Sequence, residues 1–386
     1  MSELELPHLI TDSATVEQLA GELLRAGSFA FDLEFLSANR YIPELALVQV
    51  GWGDRESPRV AAVDPLSAEI APLLALVARA DITKLLHSAQ GDLALLGARY
   101  GVEAKSVVDT QLAALLAGLG ESVGYARLIA ELLGREIDKG LQFTNWLERP
   151  LTPEKLSYAL DDVRYLPLAW ARLEQQLASL GRLEWLGEES ARLAASAARR
   201  LPPAEIYQKL GGWQRLSPPQ LGAFAALAQW REERALETNK PPSWLLKDPT
   251  LLTLARRLPR KLEEIAALDG PDRPQLERQA ERLLALVERG RARPIAPPPP
   301  LPASLAELKK QLQERVAQEA KTLALPASLL APKGELETLL TWKAKAAETT
   351  PEPPLALLTG WRRKALGQAL LEELEGMFPQ RGLFGG

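Results

Sequence analysis

Hydrophobic positions concentrate in three early stretches, residues 28–36 (SFAFDLEFL), 45–52 (LALVQVGW) and 59–64 (RVAAVD). Each is short, rich in aromatic or β-branched residues and bounded by turn formers, so together they predict a strand meander. The pattern then alternates between helix and strand. An apolar helix is expected over residues 68–79, a strand over 82–87, a helix over 91–100 stopped by Gly101, and a strand over 106–109, followed by further helices. This predicts a mixed α/β sheet with helices packed on it.

Beyond residue 200 no strand pattern recurs. Amphipathic runs punctuated by Pro and Gly predict two all-α bundles. Leu-Pro-Pro at 201–203 ends one helical stretch, and the proline run APPPPLP at 296–302 reads as a stiff extended spacer. The resulting division is an α/β domain over 1–200, a helical module over 210–291, a linker over 292–303 and a second helical module over 304–380.

Composition narrows the chemistry. The chain has no cysteine, which rules out disulfides, thiolate metal sites and a cysteine nucleophile, and its only histidines are His8 and His87. Carboxylates are left to carry any metal chemistry, and they favour hard cations such as Mg²⁺ and Mn²⁺. Residues 1–200 hold 19 Lys and Arg against 28 Asp and Glu, whereas residues 201–386 hold 27 against 22. An acidic half suits metal binding, and a mildly basic half suits a phosphate backbone. The start of the chain lacks a basic, apolar leader and no stretch is long and apolar enough for a membrane span, so the expectation is an unexported, cytoplasmic protein.

Three groups of residues are candidates for chemistry. Asp32 and Glu34 lie two apart on an apolar strand and share one face. Two such charges roughly 5 Å apart repel by about 3 kcal/mol at an effective dielectric of about 20, so either an exposed acidic edge or a bound cation accounts for them. In LLHSAQGDLALL, Asp92 falls at the start of a helix, where an ordinary first-turn acid is equally at home, and His87 ends the strand before it. In SYALDDVRYL, the helix is announced by Thr152 as N-cap and Pro153 at its first position. Tyr158 and Asp162 are four apart and share a face, while Asp161 is turned by about 100° away. A surface hydrogen bond also explains that pair.

In this order and spacing, D-x-E, the Asp after His87, and Y-x-x-x-D resemble the three exonuclease motifs of the DEDD superfamily, tyrosine subtype. FDLEF with Tyr41, Pro43 and Leu45, ITKLLHSAQGDLALL, VVDTQ and DKGLQFTNWLERPLT extend the resemblance to the ribonuclease D family. Residues 227–270 resemble a helicase-and-ribonuclease-D C-terminal (HRDC) domain, and residues 305–374 resemble a second, diverged copy.

The resemblance implies a ribonuclease H-like fold and a 3′–5′ exoribonuclease that trims RNA with a single-stranded 3′ end, such as transfer-RNA precursors. It implies two divalent ions, Mg²⁺ or Mn²⁺, held by Asp32, Glu34, Asp92 and Asp162, with Tyr158 assisting the attacking water. Phe35, Leu36, His87, Gln142, Thr144 and Trp146 would lie near the substrate, although Phe35 also reads as core. Trp230, Arg231, Arg256, Arg257, Arg260, Lys261, Arg362, Arg363 and Lys364 could hold the nucleic-acid tail or form packed and solvated faces. Where the family has Asp between Ser or Thr and Trp, this chain has Asn145, which keeps hydrogen bonding and loses a charge. The alternatives are a DNA exonuclease using the same acids and an inactive RNA-binding scaffold. A monomer without protein partners is the expected form.

Overall fold

The computed structural model describes residues 8–137, 140, 144–299, 301–345 and 350–377. Among them, β1 (Leu9–Ile10), β2 (Ser28–Leu36), β3 (Glu44–Trp52), β4 (Arg59–Val63), β5 (Thr83–Leu86) and β6 (Val107–Asp109) form one sheet in the order β1-β4-β3-β2-β5-β6. The meander β2-β3-β4 is antiparallel as expected, while β1, β5 and β6 pair in parallel, which makes the sheet mixed. β2 is central, flanked by β3 and β5.

Helices cover both faces. Preceding β2 is α1 (Ser13–Ala26), which the sequence reading does not anticipate although Asp12 caps it and Gly27 ends it in the left-handed region. It packs with Phe29, Phe31 and Leu33 on one side of the sheet. After α2 (Ala71–Val77), α3 (Gln90–Leu95) continues through a π-helical turn to Gly101. The opposite face carries α4 (Thr110–Leu116), α5 (Tyr125–Leu133), α6 (Pro153–Arg164) and α7 (Leu166–Ser179), while α8 (Leu183–Ala198) contributes Leu186 to that layer and Ala194 to the layer of α1 and α3. Thr152 caps α6 by accepting from Lys155 N, with Pro153 at its first position, as its sequence predicts.

The first helical segment comprises α9 (Pro218–Thr238), α10 (Pro242–Leu245), α11 (Asp248–Arg257), α12 (Leu262–Ala266) and α13 (Arg273–Arg291) around a closed core that includes Phe224, Leu251, Leu254 and Leu283. Gly222 and Gly290 let α9 and α13 cross in backbone contact: a Cβ on Gly222 would lie 2.2 Å from the Gly290 carbonyl oxygen. The segment docks on the loop after β2, where Tyr41 Oη donates to Glu232 at 2.6 Å and Asn239 Oδ1 accepts from Ile42 N at 2.7 Å.

The last segment comprises α14 (Ala303–Leu323), α15 (Ala327–Leu330), α16 (Glu335–Lys345), α17 (Gly360–Arg362) and α18 (Gln368–Met377), the final two joined by a π-helical turn. It begins as α9 to α11 do, with a 21-residue helix capped in the left-handed region, a four-residue helix and a third helix. It is not an independent bundle. Its core runs on into the α/β domain, with Trp361 fully buried and stacked on Trp185 of α8 at 4.4 Å. Glu189 of α8 accepts from the Trp361 indole at 2.8 Å and from both terminal nitrogens of Arg362.

Two basic candidates are thereby corrected. Arg362 is 3% exposed in this clasp, and Arg231 is 5% exposed with its guanidinium on Asp248 and the Leu246 carbonyl, so neither faces a nucleic acid. Trp230 is core. Arg256, Arg257, Arg260 and Lys261 remain exposed, while Arg363 and Lys364 pair with Glu352 and Glu184. Among the described residues no helix is long and apolar enough to cross a membrane.

Candidate active site

Alternation along β2 sends Phe31 and Leu33 into the core on one side and turns Asp32 and Glu34 to the other, beneath α6. The helix comes close because β3 carries Gly51, where a Cβ would sit 2.9 Å from the Val163 carbonyl oxygen. That approach brings Asp162 to the strand acids. Carboxylate oxygens of Asp32, Glu34 and Asp162 lie within 4.8 Å of one another. Asp161 instead pairs with Arg164 at 2.8 Å, as the helical offset predicts.

Asp92 enters from α3, 7% exposed, outside that group of three but close enough for Asp32 and Glu34 to act on its charge. The turn that delivers it is tight. Ser88 takes a φ of 57°, and the Asp109 carboxylate accepts from Ser88 N and Ala89 N at 3.1 and 2.9 Å. Asp109 also caps α4, so one carboxylate ties the end of β6 to the entry of α3.

Electrostatically the site is under stress. Burial pushes Asp32 up to about 7. Burial, then Asp32 and Asp162, push Glu34 up to about 9, and burial, then Asp32 and Asp161, push Asp162 up to about 8. Asp92 is raised well above the ordinary carboxylate range by burial, then by Asp32, Glu34 and Asp109. Among the described residues no Lys or Arg forms an ion pair with any of the four acids. Crowded like charges of this kind are stabilised by a cation or by protons.

The remaining expected residues divide. Tyr158 is half-buried on the same face of α6 as Asp162. Phe35 is half-buried with its ring 3.6 Å from where a Gly91 Cβ would stand, and Leu36 and Thr144 are half-buried. Gln142 lies outside the described residues. His87 forms wall rather than surface: Thr110 Oγ1 donates to Leu86 O, so His87 Nδ1 donates to Thr110 at 3.0 Å. Burial pulls the His87 pKa down against the pull of Asp109. Trp146, expected beside the substrate, is 2% exposed and sits behind Tyr158, ring centroids 6.1 Å apart. Asn145 serves its own turn by accepting from Leu147 N at 3.2 Å.

Several contributors have no local motif. Tyr125 of α5 donates its hydroxyl to the Asp161 carbonyl at 2.7 Å, and its pKa is raised well above the usual value by burial, then Asp162. Arg149 grips Asp64 with Nε and Nη2 at 2.6 and 2.8 Å. These contacts join residues 36 and 85 apart, which periodicity over a short window does not see.

Residues 7–178 match the family described as 3′–5′ exonuclease, and residues 220–287 match the HRDC domain family. The fold and the acid cluster thus define an exonuclease-class domain followed by an HRDC domain. The chain is 35% identical to ribonuclease D of Pseudomonas paraeruginosa, covering 95% of this chain and 97% of that protein. It is 34% identical to ribonuclease D of Granulibacter bethesdensis, covering 96% and 93%. Its fold superposes on the crystal structure of Escherichia coli RNase D, described as an exoribonuclease involved in structured RNA processing, with a TM-score of 0.85, 27% identity and coverage of 96% and 99%. The chain belongs to the ribonuclease D family.

Proposed function

We propose that the protein is a metal-dependent 3′–5′ exoribonuclease that removes nucleoside 5′-monophosphates one at a time from RNA with a single-stranded 3′ end. Transfer-RNA precursors are the substrate class, and the cytoplasm the place of action. The observation that carries this reading is the convergence of Asp32, Glu34 and Asp162 within 4.8 Å, with Asp92 alongside and no basic partner among the described residues.

All-oxygen donors of this number fit Mg²⁺ or Mn²⁺ and exclude a soft-metal site. Asp32, Glu34, Asp92 and Asp162 would hold two such ions. When bound, the ions supply Lewis-acid activation of water and neutralisation of charge on the leaving 3′ oxygen. The protein's own groups orient the reaction. Tyr158, on the Asp162 face of α6, holds the attacking water by its hydroxyl and takes part in moving its proton. Tyr125 fixes the register of α6 through the Asp161 carbonyl. Phe35, Leu36 and Thr144 border the terminal nucleotides, and neutral His87 supports the wall behind Asp92.

The domain reading is 1–200 for the exonuclease, 210–291 for the first HRDC domain, 292–303 for the linker and 304–380 for a second, diverged HRDC copy. The matching succession of a 21-residue helix, a left-handed cap and a four-residue helix supports the second copy. Exposed Arg256, Arg257, Arg260 and Lys261 are basic groups available to meet phosphates.

A time course on 5′-labelled RNA and DNA with single-stranded 3′ tails, with Mg²⁺, Mn²⁺ or chelator, tests the reading. A metal-dependent ladder shortening from the 3′ end, faster on RNA, is the expected result. Binding without shortening under every metal would leave an RNA-binding scaffold.

A further inference from the structure

We infer that Arg149, held by Asp64, is a positioning residue for Tyr158, acting through the loop that carries Trp146. The inference rests on the role given above to Tyr158. Residues 144–152 lead into α6 with no strand or helix of their own, so side-chain contacts must set their path. Arg149 sets it. Its bidentate pair with Asp64 anchors it to the end of β4, and Asp64 is itself immobilised, 2% exposed and accepting from Leu66 N at 3.0 Å.

The rest of the guanidinium is spent on backbone carbonyls. Nη2 donates to Ala46 O at 2.7 Å, and Nη1 donates to Trp146 O and Glu148 O at 2.7 and 2.9 Å. Ala46 is the extra residue of a β-bulge, because Glu34 pairs with Leu47 while Phe35 pairs with Leu45. One side chain therefore joins the bulge opposite Glu34 to the loop behind Tyr158. From the other side Lys155 of α6 reaches Glu148 at 2.8 Å and the Asn145 carbonyl at 3.3 Å.

Buried in the core that also holds Leu47 and Leu160, the Trp146 ring lies 34° from the Tyr158 plane and limits where the phenol can move. The guanidinium fork is what makes this possible, since lysine supplies one point charge and no bidentate geometry. A displacement of about 1 Å at a reacting group costs about 10²-fold in rate, so a loosened ring is visible in turnover.

The test uses the full chain with Mg²⁺ on 5′-labelled RNA and compares wild type, Arg149→Lys, Tyr158→Phe and the double variant. Arg149→Lys should lower kcat about 10-fold or more with KM nearly unchanged, and should cost little further in the Tyr158→Phe background. The same fold loss in both backgrounds, or a wild-type rate for Arg149→Lys, would overturn the inference. Should Arg149→Lys not fold, Trp146→Phe keeps the Arg149–Asp64 pair and must show the same non-additivity with Tyr158→Phe; an additive loss overturns it. A wild-type rate for Tyr158→Phe itself would instead remove the reading on which the inference stands.

Discussion

The molecule buries charge in two places and treats it in opposite ways. On β2, α3 and α6, four acids gather with no cationic partner among the described residues, and their proton affinities rise far above normal. On α8, Glu189 is more deeply buried than the half-buried Asp32, Glu34 and Asp162, but is met by Arg362 and the Trp361 indole. The first arrangement costs folding energy until a cation arrives, and the second locks a helical segment to the catalytic domain. Buried charge alone therefore says little; whether it is satisfied separates a site from a clasp.

The sharpest way to break this comparison is to remove one acid. Asp162→Asn should lower cleavage on the order of 10³-fold or more, equivalent to about 4 kcal/mol, whereas Asp161→Asn should retain most activity because that side chain faces Arg164. Equal losses in the two variants would refute the assignment of faces on α6. Removing one half of the clasp should act on stability instead. Arg362→Met leaves Glu189 buried with only the Trp361 indole and Arg192 at 3.9 Å, and should cost roughly 3 kcal/mol in denaturant unfolding, with the rate per folded molecule kept. An unchanged unfolding midpoint would mean that the clasp carries no net energy.

Acidity separates the two regions further. Carboxyls whose pKa is higher in the folded than in the unfolded chain bind protons more tightly when folded. The stability they contribute is fully present below about pH 4, near the unfolded value, and is lost as pH rises through the folded values of about 7, 8 and 9. Chelated protein should therefore lose stability between pH 5 and 9 in thermal melts, and Glu34→Gln should flatten that slope. A melting temperature that rises with pH over this range would contradict the crowding of the acids. The smallest effect is expected where the polar contact is only half-buried. Tyr41→Phe loosens the first helical segment from the catalytic domain by about 1 kcal/mol, since Glu232 keeps Arg200 at 4.0 Å, and domain-resolved hydrogen exchange would register it.

What could be read from the sequence was local. Short runs of aromatic and β-branched residues between turn formers identified β2, β3 and β4 within a residue or so, and Thr152 with Pro153 marked the start of α6. Both signals are written within a few residues. Asp32, Glu34 and Asp162 met because strand and helix periodicities fix which side chains share a face, and topology then brought the two faces together. The two-residue β1 was invisible, being defined by its pairing with β4 rather than by its own pattern. An apolar stripe on α14 or α18 states that a partner exists without saying which, so a self-contained last bundle was expected where the structure has a shared core. The family resemblance puts Trp146 near the substrate, whereas its burial behind Tyr158 has no local signal. The pairing of Asp64 with Arg149 spans 85 residues and had no signal at all.

Without a divalent cation, the crowding of the four acids costs the fold stability. The most direct measurement is a set of thermal melts at pH 8 of wild type and Asp32→Asn, each with chelator and with Mg²⁺ or Mn²⁺. The account predicts that metal raises the wild-type melting temperature, and that chelated Asp32→Asn melts above chelated wild type and gains much less from metal. If metal leaves the wild type unmoved, or Asp32→Asn melts lower than wild type under chelation, the acids are not a strained cation site and the central claim fails.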